Sequence, residues 1–236
     1  MADKAKENLK PATIEKIRII FNRSFELALR WNIPGVTRNP VKGIARKPIA
    51  NARDRSLNPD EVNRLLLACE QSSNRQLFSI VSMLLFTGAR LSELLKAEWK
   101  DVEIEGQQWL IPMSKTGKPR RVPLSGAAVD VLNNISRFEH CPFLLPNPDT
   151  LRPYVTIKRA WQTARDEAKL HGLRLHDLRH AFCSAAVSAG VDLYAVGQIV
   201  GHSDHKSTMR YAHLASNTLL AAVEAGAKKM QGPPRL

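Results

Sequence analysis

One segment interrupts an otherwise helical chain, and it fixes the fold class. The helical period breaks at residues 101–105, 108–111 and 120–123, which read as three short strands. Glu105-Gly106 supplies the first turn between them and Lys115–Lys118 the second. On either side the apolar residues keep helical spacing. Ile14, Ile17, Phe21, Phe25 and Leu29 mark one amphipathic helix over 12–31. Further helices are expected over 76–86, from near Arg90 to Trp99, and over 125–136, 153–170, 176–188, 193–200, 205–213 and 216–229. The fold class is therefore mainly α with a small antiparallel β-sheet.

A boundary falls early. Pro34, Gly35, Asn39 and Pro40 end the first helical pattern, and the basic stretch 42–55 reads as a linker. A new helix then opens at Asn58-Pro59-Asp60-Glu61. Asn58 can cap it, Pro59 suits its first turn, and Glu61 favours the helix dipole. Asp192 is a cap and Gly190 a stop further on.

Charge limits the partner. Thirty-five Lys and Arg against 22 acidic residues give a net charge of +13, which suits a polyanion. Residues 1–55 alone carry 13 basic and 5 acidic side chains. Cys69, Cys141 and Cys183 are odd in number and share no C-x-x-C spacing, so a disulfide framework or thiolate zinc site is not expected. The three are expected to pack as small apolar groups in a reducing cytoplasm. The first ten residues lack an apolar signal core, and no apolar run is long enough for a bilayer.

Four polar clusters carry chemistry. Arg90 lies in TGARLSE, Lys115 in SKTGK, His176 and Arg179 in LHDLRH, and His202 precedes Tyr211 by nine residues. Phosphodiester cleavage builds negative charge on non-bridging oxygens, and arginine meets such oxygens with paired, charge-assisted hydrogen bonds. His176 and Arg179, three apart, share a helix face, with Leu175, Leu178 and Phe182 anchoring the other side. Taken singly, each residue has a plain structural reading. Arg90 can pair with Glu93 or Glu98, Lys115 can be a surface lysine with Lys118 as its rival, and Tyr211 can pack its ring. His176 and His180 also have i, i+4 spacing, which can bind zinc, but no H-E-x-x-H is present.

Together the clusters resemble the tyrosine recombinases, the phage-integrase family. TGARLSELL, SKTGKPRRVPL, LRLHDLRHAF and VGHSDHKSTMRYAHL carry the resemblance over about residues 56–217. It implies the DNA breaking-rejoining catalytic fold, with Tyr211 as nucleophile toward a DNA 3′-phosphate. Arg90, His176, Arg179 and His202 would stabilise the transition state, Lys115 would protonate the 5′-oxygen, and Glu93 would support the site. Lys118, Arg120, Arg121, His180 and Arg210 are expected to contact DNA. The phosphotyrosyl ester conserves the broken bond's energy, so no cofactor is expected, and fixed positive donors stand where nucleases use metal, so no metal is expected.

The resemblance also implies partners and organisation. Double-stranded DNA, a homotetramer on DNA and accessory DNA-bending proteins are expected, in a cytoplasmic protein of a prophage or other mobile element. Residues 1–50 would be the C-terminal remnant of a helical core-binding domain plus the basic linker, and 51–236 the catalytic domain. The helix over 216–229, with Leu219, Leu220 and Val223 on one face, would dock on a neighbouring subunit or on its own domain. Two alternatives remain: a catalytically silent DNA-binding remnant, and a type IB topoisomerase-like enzyme.

Overall fold

The computed structural model describes residues 9–45, 55–112, 119–202, 204 and 206–231. The chain divides into two units near residues 53 and 54. In the first, helix α1 (Pro11–Arg30) begins with proline at its first helical position, where no intrahelical N–H is lost. Asn39 folds the following loop back: its amide donates to the Asn22 carbonyl and side chain, and its Oδ1 accepts from Val41 N–H. Ile14, Ile17, Phe25 and Leu29 are half-buried as expected. Phe21 is not; it faces solvent beside Ile20, because the returning loop is fixed at Asn22 and does not cover it.

The second unit opens with α2 (Pro59–Glu70), capped as its sequence requires. Asn58 Oδ1 accepts from Glu61 N–H at 2.8 Å, and the Glu61 carboxylate accepts from Asn58 N–H at 3.1 Å. Helix α3 (Leu77–Thr87) is apolar on nearly every side, so it can only sit at the centre. It packs against α2 and against α5 (Gly126–Asn133) and α7 (Leu175–Ser188). Gly88 stops it in the left-handed conformation, φ +61°. A Cβ there would lie 2.5 Å from the Phe182 ring and 2.9 Å from Val200, so glycine is required twice over.

The helix expected from Arg90 to Trp99 is one turn only, α4 (Leu91–Leu94). Distant backbone takes the groups that would have continued it. Leu144 N–H donates to Ala97 O, Trp99 N–H donates to Pro142 O, and Glu98 bridges Phe143. Three strands follow: β1 (Val102–Glu103), β2 (Gln108–Ile111) and β3 (Arg120–Pro123), antiparallel in the order β1-β2-β3. Trp109 faces Val122 and Ile111 faces Arg120 across β2 and β3. Side chains alternate along a strand, so Arg120 shares the inner face with Val122, and Arg121 points outward.

A second hairpin, β4 (Pro146–Asn147) with β5 (Arg152–Pro153), was not expected. It occupies the start of the helix predicted over 153–170, and α6 spans only Lys158–Glu167. Helix α8 (Leu193–Val200) is capped by Asp192, which accepts from Tyr194 and Ala195 N–H, and it ends at Gly201, φ +70°. The expected helix over 205–213 is instead α9 (Lys206–Met209) followed by a 3₁₀ turn, Ala212–Ala215. Tyr211 N–H donating to Thr208 O and Leu214 N–H donating to Tyr211 O tighten this stretch to i→i−3 spacing. In α10 (Ser216–Gln231) Val223 is exposed, while the Leu219 and Leu220 side chains lie outside the described ones.

Two apolar clusters result. The larger joins α2, α3, α5, α6 and the three-stranded sheet. The smaller holds Cys183, Val187, Val196, Val200 and Tyr211. Helix α7 serves both, with Leu178 and Ala181 in the first and Cys183 and Val187 in the second. Its middle, between Ala181 and Cys183, therefore stands where the two cores meet.

Candidate active site

One carboxylate organises two arginines. Glu93 accepts from Arg90 N–H at 2.9 Å and from Arg90 Nη1 at 2.8 Å. On the same oxygens it accepts Arg120 Nη1 at 2.9 Å and Nη2 at 2.7 Å. Burial alone would raise the Glu93 pKa, but the hydrogen bonds and charges of the two arginines outweigh it and hold the group at about 2. Two further guanidinium donors run to the end of α8: Arg90 Nη2 to Gly201 O at 3.0 Å, and Arg120 Nε to Ile199 O at 3.2 Å. A Cβ on Gly201 would come within 2.9 Å of Arg120 Cδ.

Arg179 is built differently. Only 3% exposed, it donates from Nη1 to Gly88 O at 2.8 Å, and its buried Nη2 has no partner among the described residues. Burial, and then the charge of Arg90, lowers its pKa to about 10, so it stays charged at neutral pH. His176 on the same helix is exposed, yet desolvation by its neighbours and the Arg179 charge lower its pKa.

His202 follows the glycine that ends α8. Its Nδ1 lies 2.8 Å from the hydroxyl of Thr208, which is buried. A hydroxyl donating to Nδ1 leaves the ring proton on Nε2, available to another acceptor. Burial, with Arg179 next, lowers the His202 pKa to about 4, so the ring is neutral at pH 7. Tyr211 is a core residue, 2% exposed, with its hydroxyl 2.5 Å from His180 Nδ1. Burial pushes its phenol above the ordinary value.

The fold thus brings Arg90, Glu93, His176, Arg179, His202 and Tyr211 to one region, from four separate stretches of sequence. Lys115 and Lys118 lie outside the described residues. Arg121 and Arg210 are exposed, as residues meeting a large ligand must be. Two other residues expected at DNA are engaged within the protein. Arg120 points inward, its side chain 9% exposed and committed to Glu93. His180 is engaged with Tyr211. A signal for Arg120 existed in RRVPL: the two-residue strand period puts it on the side of Val122 and Leu124. Cys69 and Cys183 are buried free thiols; Cys141, expected to pack likewise, is only half-buried, its thiol on Leu151 O. Among the described residues, no three His, Cys, Asp or Glu side chains gather as metal ligands, and no helix is long and apolar enough to cross a membrane.

Residues 55–218 match the phage integrase family. The chain belongs to that family. It is 33% identical over 182 residues to the integrase of Salmonella phage P22, covering 72% of this chain and 46% of that one. It spans about half the length of that relative. Among solved structures, the catalytic domain of bacteriophage HP1 integrase is 27% identical with a TM-score of 0.60, covering 76% of this chain and 98% of that domain. The Tn1549 transposon integrase, solved with circular intermediate DNA, is 19% identical with a TM-score of 0.73, covering 95% and 83%. The fold is that of a tyrosine recombinase catalytic domain, and the mainly helical class with its small antiparallel sheet is as expected.

Proposed function

We propose that this chain is a site-specific DNA recombinase that cleaves and rejoins double-stranded DNA through a 3′-phosphotyrosine formed by Tyr211. One observation carries the reading: the buried Arg179 guanidinium keeps a donor unpartnered, although buried donors are almost always satisfied. A phosphate oxygen is the partner such a donor fits. His176 and the Nε2 of His202 add neutral donors, and Arg90 adds charge. Fixed donors of this kind stabilise a phosphorane-like state as charge develops on it. Lys115 would protonate the departing 5′-oxygen, and Glu93 holds Arg90 in register.

Arg121, Lys118 and Arg210 would contact the DNA backbone, so affinity falls steeply with salt. Residues 1–50 would be the end of a core-binding domain with its linker, which the division near residue 53 supports. On DNA the active species would be a homotetramer, helped by accessory bending proteins, and its source a prophage or other mobile element. We place it in the cytoplasm, where its DNA is.

A binding module without catalysis is the second reading, favoured by the burial of Tyr211. The experiment that decides is incubation with a pool of nicked duplexes of randomised sequence, followed by denaturation. Protein-linked DNA formed by the wild type and absent from Tyr211→Phe supports cleavage. Salt-sensitive binding without any adduct supports the binding module. Strand exchange between two duplexes then separates a recombinase from a topoisomerase-like enzyme.

A further inference from the structure

His176, His180 and Tyr211 form a line from the surface inward. His176 is exposed, His180 is half-buried and Tyr211 is buried. The two imidazoles meet edge to face, centroids 4.9 Å apart, and His180 Nδ1 then meets the Tyr211 hydroxyl. Of the three histidines near the site, His180 is the one bonded to that hydroxyl, since His202 spends its Nδ1 on Thr208. We propose that His180 is the proton acceptor for Tyr211, leaving His176 to the phosphate. The inference rests on Tyr211 being the nucleophile.

The step balances within the chain. As the Tyr211 Oη–phosphorus bond forms, the phenolic proton passes to His180 Nδ1. The bond from phosphorus to the 5′-oxygen breaks, and that oxygen takes a proton from Lys115. Rejoining reverses both transfers, with the His180 imidazolium returning its proton to the leaving phenol.

The surroundings of His180 suit a base that waits for substrate. From its own helix it faces His176, Asp177 and, just before the helix, Arg174; from the other elements it faces Arg210, Tyr211 and His202. Burial, then His176 and Arg210, lowers its pKa to about 4. It is therefore neutral at pH 7 and able to accept. A phosphodiester entering beside Arg179 brings negative charge, which offsets those cations and raises the basicity of the ring. Proton transfer is thereby easier with DNA in place than without it.

His180→Asn separates acceptance from support. Its amide oxygen can take the position of Nδ1 and receive the hydroxyl's hydrogen bond, but it cannot take up a proton at these pH values. Single-turnover adduct formation on the randomised nicked duplexes is expected to slow by about 100-fold or more. Folding and DNA binding should be unchanged. The variant's rate should also climb with pH, as hydroxide replaces the missing base, where the wild type has levelled off. His180→Asn cleaving at the wild-type rate, or at a uniformly lowered rate with the wild-type pH profile, would overturn the proposal. Tyr211→Phe run beside it keeps the two readings apart: an adduct that persists there removes Tyr211 as nucleophile, whatever His180 does. Nitrogen NMR of the histidine rings gives a test without cleavage. The proton of His180 should sit on Nε2, and the Nδ1 resonance should move in Tyr211→Phe; a proton on Nδ1 in the wild type would contradict the assignment.

Discussion

Arg120 and Arg179 are both buried, and the fold treats them in opposite ways. Arg120 gives two nitrogens to Glu93 and the third to Ile199 O, so none of its nitrogens lacks a partner. Arg179 is more deeply buried, has no carboxylate within its hydrogen bonds, and leaves Nη2 unpartnered. A saturated guanidinium holds elements together. An unsaturated one costs stability and is poised for an anion. Residue type alone would have ranked the two alike; partner accounting separates them.

The largest effect expected from that contrast is on catalysis. Arg179→Ala should lower single-turnover cleavage by about 10²–10³-fold through loss of a charge-assisted transition-state donor. Arg179→Met, which keeps most of the volume, should do the same to cleavage yet hold or raise the unfolding midpoint, because it removes an unpaired buried charge. A midpoint that falls by many degrees in Arg179→Met would place Arg179 with the scaffold arginines. Glu93→Gln is the converse. It strands Arg90 and Arg120 together and should cost about 3 kcal/mol of stability in chemical denaturation.

Acid tests the same carboxylate. Glu93 is held at about 2, below its unfolded value, so its contribution is complete above the unfolded carboxylate pKa. The contribution is then lost as pH falls through the interval down to about 2. Glu93→Gln should therefore flatten the acid limb of a stability–pH curve; an unchanged limb would assign that loss to other carboxylates. Gly88→Ala should cost about 2 kcal/mol, from the positive φ and the contact with the Phe182 ring. Unfolding in urea reads it directly. The smallest effect belongs to Arg121→Ala: stability unchanged, and the slope of log affinity against log salt reduced by about one phosphate contact. An unaltered slope would remove Arg121 from the DNA surface.

Signals that act within a few residues were legible in the sequence. The cap at Asn58, the stop at Gly190, the cap at Asp192 and the three strands all appear where local chemistry puts them. Features set by distant partners were not. Helix α4 is cut short by residues 142–144, and the β4–β5 hairpin displaces the start of α6. Arg120 meets Glu93 across 27 residues, and His180 meets Tyr211 across 31. The motifs named Arg120 and His180 as DNA contacts, and their bonds to Glu93 and Tyr211 could not be read from them. Nothing in a single sequence records which polar groups are already satisfied.

The pairing of Ile111 with Arg120 has a consequence for the lysine between them. Both stems of that connection are pinned in register, and Arg120 is fastened to the carboxylate that also holds Arg90. Lys115 is four residues from one stem and five from the other. Whatever the connection does, the contour of four extended residues keeps the Lys115 Cα within about 14 Å of Ile111, a strand residue paired with the arginine that Glu93 holds.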